Sequence, residues 1–134
     1  MKTHFSRSKA FWLSLILMCF SVGPLSAEQF GLFTYRVDGG TITIIAYPTS
    51  AVGDVEIPSK IEGKPVTDIS DSTFSGCSSL TSITIPSSVT SIGKFAFHGC
   101  NSLTSATIPD SVTTIGSGTF NSCRRLPLNT RKPS

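Results

Sequence analysis

A spacing of 23 residues constrains this chain more than any other feature. Phe74, Phe97 and Phe120 sit at that interval, as do Cys77, Cys100 and Cys123, and Leu80, Leu103 and Leu126. Val66, Val89 and Val112 keep the same step, and so do Ile69, Ile92 and Ile115. Apolar residues recurring at fixed phases with a period in the twenties mark a solenoid. One repeat cannot bury its apolar side alone and does so by stacking on its neighbours. Such an architecture argues against a compact enzyme and leaves the ligand unnamed.

Each repeat resolves into three pieces. The first is a strand with outward and inward positions alternating and a proline at its end: Val52, Val55, Ile57 and Pro58, then Leu80, Ile83, Ile85 and Pro86, then Leu103, Ala106, Ile108 and Pro109. Proline cannot donate a ladder hydrogen bond, so it closes each strand at a fixed place. The second is a short extended piece, Val66–Ile69, Val89–Ile92 and Val112–Ile115. The third, 72–77, 95–100 and 118–123, is expected to form one turn of helix, with Phe74, Phe97 and Phe120 pointing inward. Gly and Pro at its borders keep it short. The first interval is 28 residues, from Ile57 to Ile85, and its extra length is assigned to a turn at Glu62-Gly63-Lys64-Pro65. Before the repeats, Phe33–Val37, Asp38-Gly39-Gly40 and Thr41–Tyr47 read as a β-hairpin, placed as a cap over the open end of the stack.

The units Ile85-Pro86-Ser87-Ser88-Val89-Thr90-Ser91-Ile92-Gly93 and Ala96-Phe97-His98-Gly99-Cys100-Asn101-Ser102-Leu103-Thr104-Ser105 resemble the BspA-like leucine-rich repeats of bacterial and protist surface proteins. Ser88 stands where the commonest leucine-rich pattern has Asn or Cys, a departure typical of this class. The resemblance implies a right-handed solenoid with a parallel sheet on one face, secretion or surface display, and binding to other proteins or host matrix. The fold expected is thus a β-rich, α/β-type leucine-rich repeat solenoid of short parallel strands and one-turn helices. The chain divides into a signal peptide (1–27), a hairpin cap (28–51), repeats (52–126) and an irregular tail (127–134).

The signal peptide rests on a basic start (Lys2, Arg7, Lys9), an apolar run from Ala10 to Val22, and small residues before a cleavage site after Ala27. The run is shorter than the roughly 20 residues of a membrane span. Met18 ahead of Cys19 is too bulky for a lipidated cysteine. Those three basic residues equal the whole formal charge of +3. From Glu28 to Cys123, four basic residues face eight acidic ones, while Arg124, Arg125, Arg131 and Lys132 crowd the end. No basic face able to track phosphates emerges, so no nucleic-acid partner is expected. After Leu126 the register fails: Asn129 and Arg131 fall on apolar phases and Lys132 on the proline phase. The tail reads as a polar cap or as the mark of a truncated or frameshifted longer array. An uncovered last rung would favour end-to-end self-association.

Candidate chemistry is thin. Cys77, Cys100 and Cys123 lack the close C-x-x-C pairing of metal sites. They read as a buried ladder of thiols, one bridge remaining open in an oxidising compartment. His98 has Ser75 and Asn121 as phase mates and no assigned carboxylate, so no catalytic constellation forms. No cofactor, metal or phosphate loop is expected. The outward strand positions Asp54, Glu56, Ser82, Thr84, Ser105 and Thr107 form a hydroxyl ladder with an acidic end. They are the candidate protein-binding face, although Ser and Thr also suit exposed strands on structural grounds alone. The chain is thus expected to be a non-catalytic secreted or surface module of adhesion type whose partners are extracellular proteins. The membrane enters only through the signal peptide. The alternative is a truncated or frameshifted, non-functional fragment of a longer repeat protein, and behind it stand an enzyme of unfamiliar site and an ice-binding ladder, for which the rungs are too few.

Overall fold

The computed structural model of the chain describes residues 27–127. The segment ahead of Ala27, expected from the sequence to be a signal peptide, and the tail beyond Pro127 lie outside the described residues. The strands in chain order are β1 (Glu28–Phe30), β2 (Phe33–Asp38), β3 (Thr41–Ala46), β4 (Gly53–Glu56), β5 (Lys60–Ile61), β6 (Lys64–Ile69), β7 (Leu80–Thr84), β8 (Ser91–Ile92), β9 (Ser105–Thr107) and β10 (Thr114–Ile115).

The chain winds as a β-solenoid of about three turns. The hairpin forms where Asp-Gly-Gly places it: β2 and β3 pair antiparallel with Asp38 opposite Thr41, and Gly39 supplies a φ of +65°. Asp38 fastens the turn by accepting hydrogen bonds from Thr43 Oγ1 (2.7 Å) and Arg36 Nε (2.8 Å). A short β1 adds antiparallel to β2, and Tyr35, buried, donates its hydroxyl to Glu28 Oε2 at 3.0 Å. The second hairpin arm is also a rung of the stack. β3 lies parallel to β6, with Ile42 opposite Val66 and Ile44 opposite Ile69. The sheet then continues through β8 and β10. A second sheet, β4-β7-β9, forms the next side of the coil. The extra residues of the first repeat fold as a small antiparallel pair, β5 with β6, around Glu62 (φ +52°) and Gly63 (φ +77°). Two successive left-handed residues are the requirement of a tight hairpin turn.

The third side is not helical: among the described residues there is no helix, and 72–77, 95–100 and 118–123 are successions of turns. The reason lies in where the amide groups point. Ser75 and Cys77 donate back to Ser72 and Phe74 within the turn, but Phe74 donates to Ala96 O (2.7 Å) and Gly76 to His98 O (2.8 Å) on the next rung. A helix needs every successive N–H for its own ladder, and here alternate ones serve the neighbour. Left-handed residues also recur at two phases of each repeat: Ser72, Phe95 and Gly118 at φ +59°, +55° and +67°, then Gly76, Gly99 and Ser122 at +79°, +74° and +64°. No right-handed helix passes through such positions.

The core is a set of ladders. Phe33, Tyr47, Phe74, Phe97 and Phe120 form one continuous aromatic series with centroids 4.9, 5.1, 5.0 and 5.4 Å apart, the last two pairs stacked at 14° and 6°. Offset-stacked contacts of this kind add to the ordinary gain from burial. Buried Thr73 and Thr119 turn their hydroxyls onto carbonyls of their own and the preceding rung. One apolar assignment fails. Val52 is 77% exposed, because a register shift between Gly53 and Asp54 sets Gly53, not Val52, opposite Leu80. Gly53 takes φ +89° there, the conformation of a bulged strand entry, and the valine swings outward.

Candidate interaction face

The β4-β7-β9 sheet has two sides. Val55, Ile83 and Ala106 point into the core. The opposite side gathers all six candidate residues into two rows. Asp54, Ser82 and Ser105 lie in one register, and Glu56, Thr84 and Thr107 in the next. Ser82 is partly buried and the other five are exposed. Parallel pairing puts successive members about 5 Å apart, so the rows are continuous polar strips.

The acidic end is tied to the hydroxyls beside it. Asp54 Oδ1 accepts from Thr81 Oγ1 and from Ser82 Oγ, both at 2.8 Å. These two bonds favour the ionised form and hold the Asp54 carboxyl below the usual carboxylate range. Thr81 therefore belongs to the face, and Thr104, whose Oγ1 donates to Thr81 O at 3.1 Å, extends it. Sequence reasoning left both out, although their shared phase and hydroxyl chemistry were visible. A parallel ladder runs along the neighbouring corner, where Thr90 Oγ1 donates to Thr67 O and Thr113 Oγ1 to Thr90 O.

The other residues singled out in the sequence are not brought together. Cys77, Cys100 and Cys123 are buried thiols outside any disulfide, each donating to a carbonyl of the preceding rung: Pro48 O (3.7 Å), Phe74 O (3.3 Å) and Phe97 O (3.0 Å). The Cys123 thiol beside it, and then burial, push the Cys100 thiol up, and burial raises Cys77. Thiols in this state are poor nucleophiles and poor metal ligands. Among the described residues no three His, Cys, Asp or Glu side chains converge on a point that could hold a metal. His98 meets an aromatic ring, that of Phe95, edge to face with centroids 5.8 Å apart. A cleft of about 290 Å³ opens at the hairpin end between Gln29, Gly31, Leu32, Thr34, Ala46, Tyr47 and Pro48.

Comparison with known proteins agrees with this geometry. The BspA type leucine rich repeat region matches residues 42–130 as six copies, beginning at the rung that β3 supplies. The crystal structure of a leucine rich repeat protein of T. pallidum is similar at a TM-score of 0.69 and 33% identity, over 75% of this chain and 48% of that one. A leucine-rich repeat protein from Bacteroides capillosus ATCC 29799 is similar at 0.69 and 32%, over 80% and 86% of the two chains. A leucine rich cell surface protein from Faecalibacterium prausnitzii A2-165 is similar at 0.67 and 33%, over 79% and 30%. The chain thus spans about half of the T. pallidum protein and under a third of the F. prausnitzii one. No curated protein matches it. Period, ladders, two-sheet coil and family match converge: the chain belongs to the BspA-type leucine-rich repeat family.

Proposed function

We propose that this chain is a non-catalytic, secreted or surface-displayed module that binds extracellular proteins along the outer side of β4, β7 and β9. The observation that carries the reading is the register of Asp54, Ser82 and Ser105 beside Glu56, Thr84 and Thr107, which makes one flat polar strip on a rigid sheet. Solenoids bind along such extended surfaces because neighbouring rungs present side chains at a fixed pitch, so little ordering is needed on association. The basic, apolar and small-residue succession up to Ala27 supports export. The likeness to a cell surface protein of F. prausnitzii supports display on the outside of a cell.

The test is binding of the purified chain to immobilised extracellular matrix proteins, compared with a variant carrying Ser82→Arg and Ser105→Arg. Those positions point to solvent or its margin, so the fold should persist. Loss of binding in the variant supports the reading. Equal binding by both chains, or none by either, removes the strip from consideration. Sequencing the amino terminus of the exported chain tests the other half: a first residue other than Glu28 contradicts the cleavage site.

A further inference from the structure

Phe95 breaks the rule that governs its own position. The residues at its phase one rung before and after are Ser72 and Gly118, and all three hold left-handed backbone. A bulky residue is disfavoured at such a φ. It is also 43% exposed, so nearly half of its surface faces solvent while Phe97, two residues on, is fully buried. Yet the ring is fixed. The Cδ1–Cε1 side lies against the bare Cα of Gly118, where a Cβ would fall 2.6 Å from Cδ1. His98 stands edge-on at 5.8 Å. The backbone beneath is pinned by Phe95 N–H to Ser117 O and His98 N–H to Phe95 O, both at 3.0 Å.

The surroundings say what such a ring fits. Among the described residues the other exposed large apolar side chains, Phe30, Leu32 and Val52, belong to β1, the turn after it and the entry to β4. The apolar patch is one ring wide. A stable protein interface needs on the order of 800 Å² per partner with an apolar centre, and a single ring does not supply it. The same phases on adjoining rungs carry Ser72, Ser75 and Asn121 beside His98, all with hydrogen-bonding side chains, and the Lys94 backbone N–H next to the ring donates to Asp71 Oδ1 at 2.7 Å. A pyranose has the matching shape. Its face of polarised C–H groups meets the electron-rich face of an aromatic ring, and its hydroxyls reach amide, imidazole and serine partners around the edge.

We infer that Phe95, seated on Gly118 and braced by His98, is the stacking platform of a glycan-binding subsite on the turn side of the coil. It is separate from the strip on β4, β7 and β9, so the two readings stand or fall independently.

The experiment is saturation-transfer NMR on the full chain with D-glucose, D-galactose, N-acetyl-D-glucosamine and their disaccharides. Wild type is expected to transfer magnetisation to the C–H protons of one sugar face. Phe95→Ser, which installs the residue of the preceding rung, should keep the fold and weaken binding by up to about tenfold. Phe95→Tyr should retain binding. Equal transfer by wild type and Phe95→Ser, or no transfer with any of these sugars, overturns the assignment. So does a Phe95→Ser chain whose melting temperature collapses while sugar binding is unaffected, since the ring would then be structural. Phe95-dependent binding of a purified matrix protein that none of the sugars competes away would assign the ring to a protein contact and also overturn it.

Discussion

The ring of Phe95 occupies the space that a side chain on Gly118 would need, and Gly118 holds a φ of +67° beneath it. Gly118→Ala is therefore expected to destabilise the chain by about 1–2 kcal/mol, from backbone strain together with displacement of the ring. Because the obstacle is the side chain of Phe95, Phe95→Ser should relieve part of the loss. Denaturant melts of both single variants and the double variant measure this coupling. Strict additivity would show that the ring does not rest there.

Gly93 offers the contrasting case. A Cβ there would fall 2.5 Å from the backbone nitrogen of Asp71, and one on Gly116 2.6 Å from the carbonyl carbon of Gly93. Backbone cannot rotate away as a ring can. Gly93→Ala should force adjacent rungs apart and cost about 4 kcal/mol or prevent folding. A soluble variant with a melting temperature near wild type would contradict the close approach of these rungs.

The three buried thiols should be inert in the folded chain. Cys77, Cys100 and Cys123 are expected to resist a maleimide under native conditions and all to react in guanidinium. Mass spectrometry of the labelled protein reads the count directly. Rapid native labelling, or a mass deficit from a bridge between two of these residues, would refute the ladder.

Stability should fall away on both sides of neutrality, for opposite reasons. Cys77 and Cys100 are raised, Tyr35 is raised by burial and by its bond to Glu28, and Tyr47 by burial and the nearby Cys77. The folded chain keeps these protons where the unfolded chain releases them. Stability thus declines above the unfolded thiol value of about 8.5 and more steeply above the phenol value of about 10. Asp38 and Asp54 are lowered, chiefly by their hydroxyl partners, so their contribution is present above about pH 4 and is lost as pH falls through the lowered values. Melting temperatures from acid to base check both limbs. Tyr35→Phe should soften the alkaline limb alone, and a variant that changed only the acid limb would contradict the assignment.

Ala106 is the underfilled rung position. It is buried at 6% exposure in register with Ile83. Ala106→Val should raise stability by about 1 kcal/mol by restoring the aliphatic group that Val55 supplies at the same place in the first rung. A lowered melting temperature would show that the neighbours have already closed over the site.

Much of this molecule was legible because a solenoid repeats its physics. Once Phe74, Phe97 and Phe120 share a phase, their stacking follows, and so does the division of the Asp54 and Glu56 rows from Val55. What escaped depends on where individual amide groups point. Serine, glycine and aromatic residues in 72–77 suit a helical turn as well as linked β-turns, and only the bonds from Phe74 and Gly76 to the next rung decide between them. Val52 looked like the leading apolar residue of a strand, but a bulge at Gly53 lies below the resolution of a hydrophobic pattern. Phe95 was hidden by composition, since Phe97, two residues on, is of the same type and lies in the core. The role of β3 was masked by its hairpin, for the strand pairs antiparallel with β2 on one edge and parallel with β6 on the other without any mark of this in its residues.

The aromatic series from Phe33 to Phe120 carries a consequence for cooperativity. Each interior ring touches the ring before it and the ring after it, so opening an inner coil strips contacts from two neighbours. In so short an array, removing Phe97 would leave two stubs, each below the length at which stacked coils hold together. Removing Phe120 would fray only one end. The molecule should therefore melt as one unit despite its repetitive construction. Amide exchange would slow steadily from the last coil inward and be slowest around Phe74, the central ring of the five.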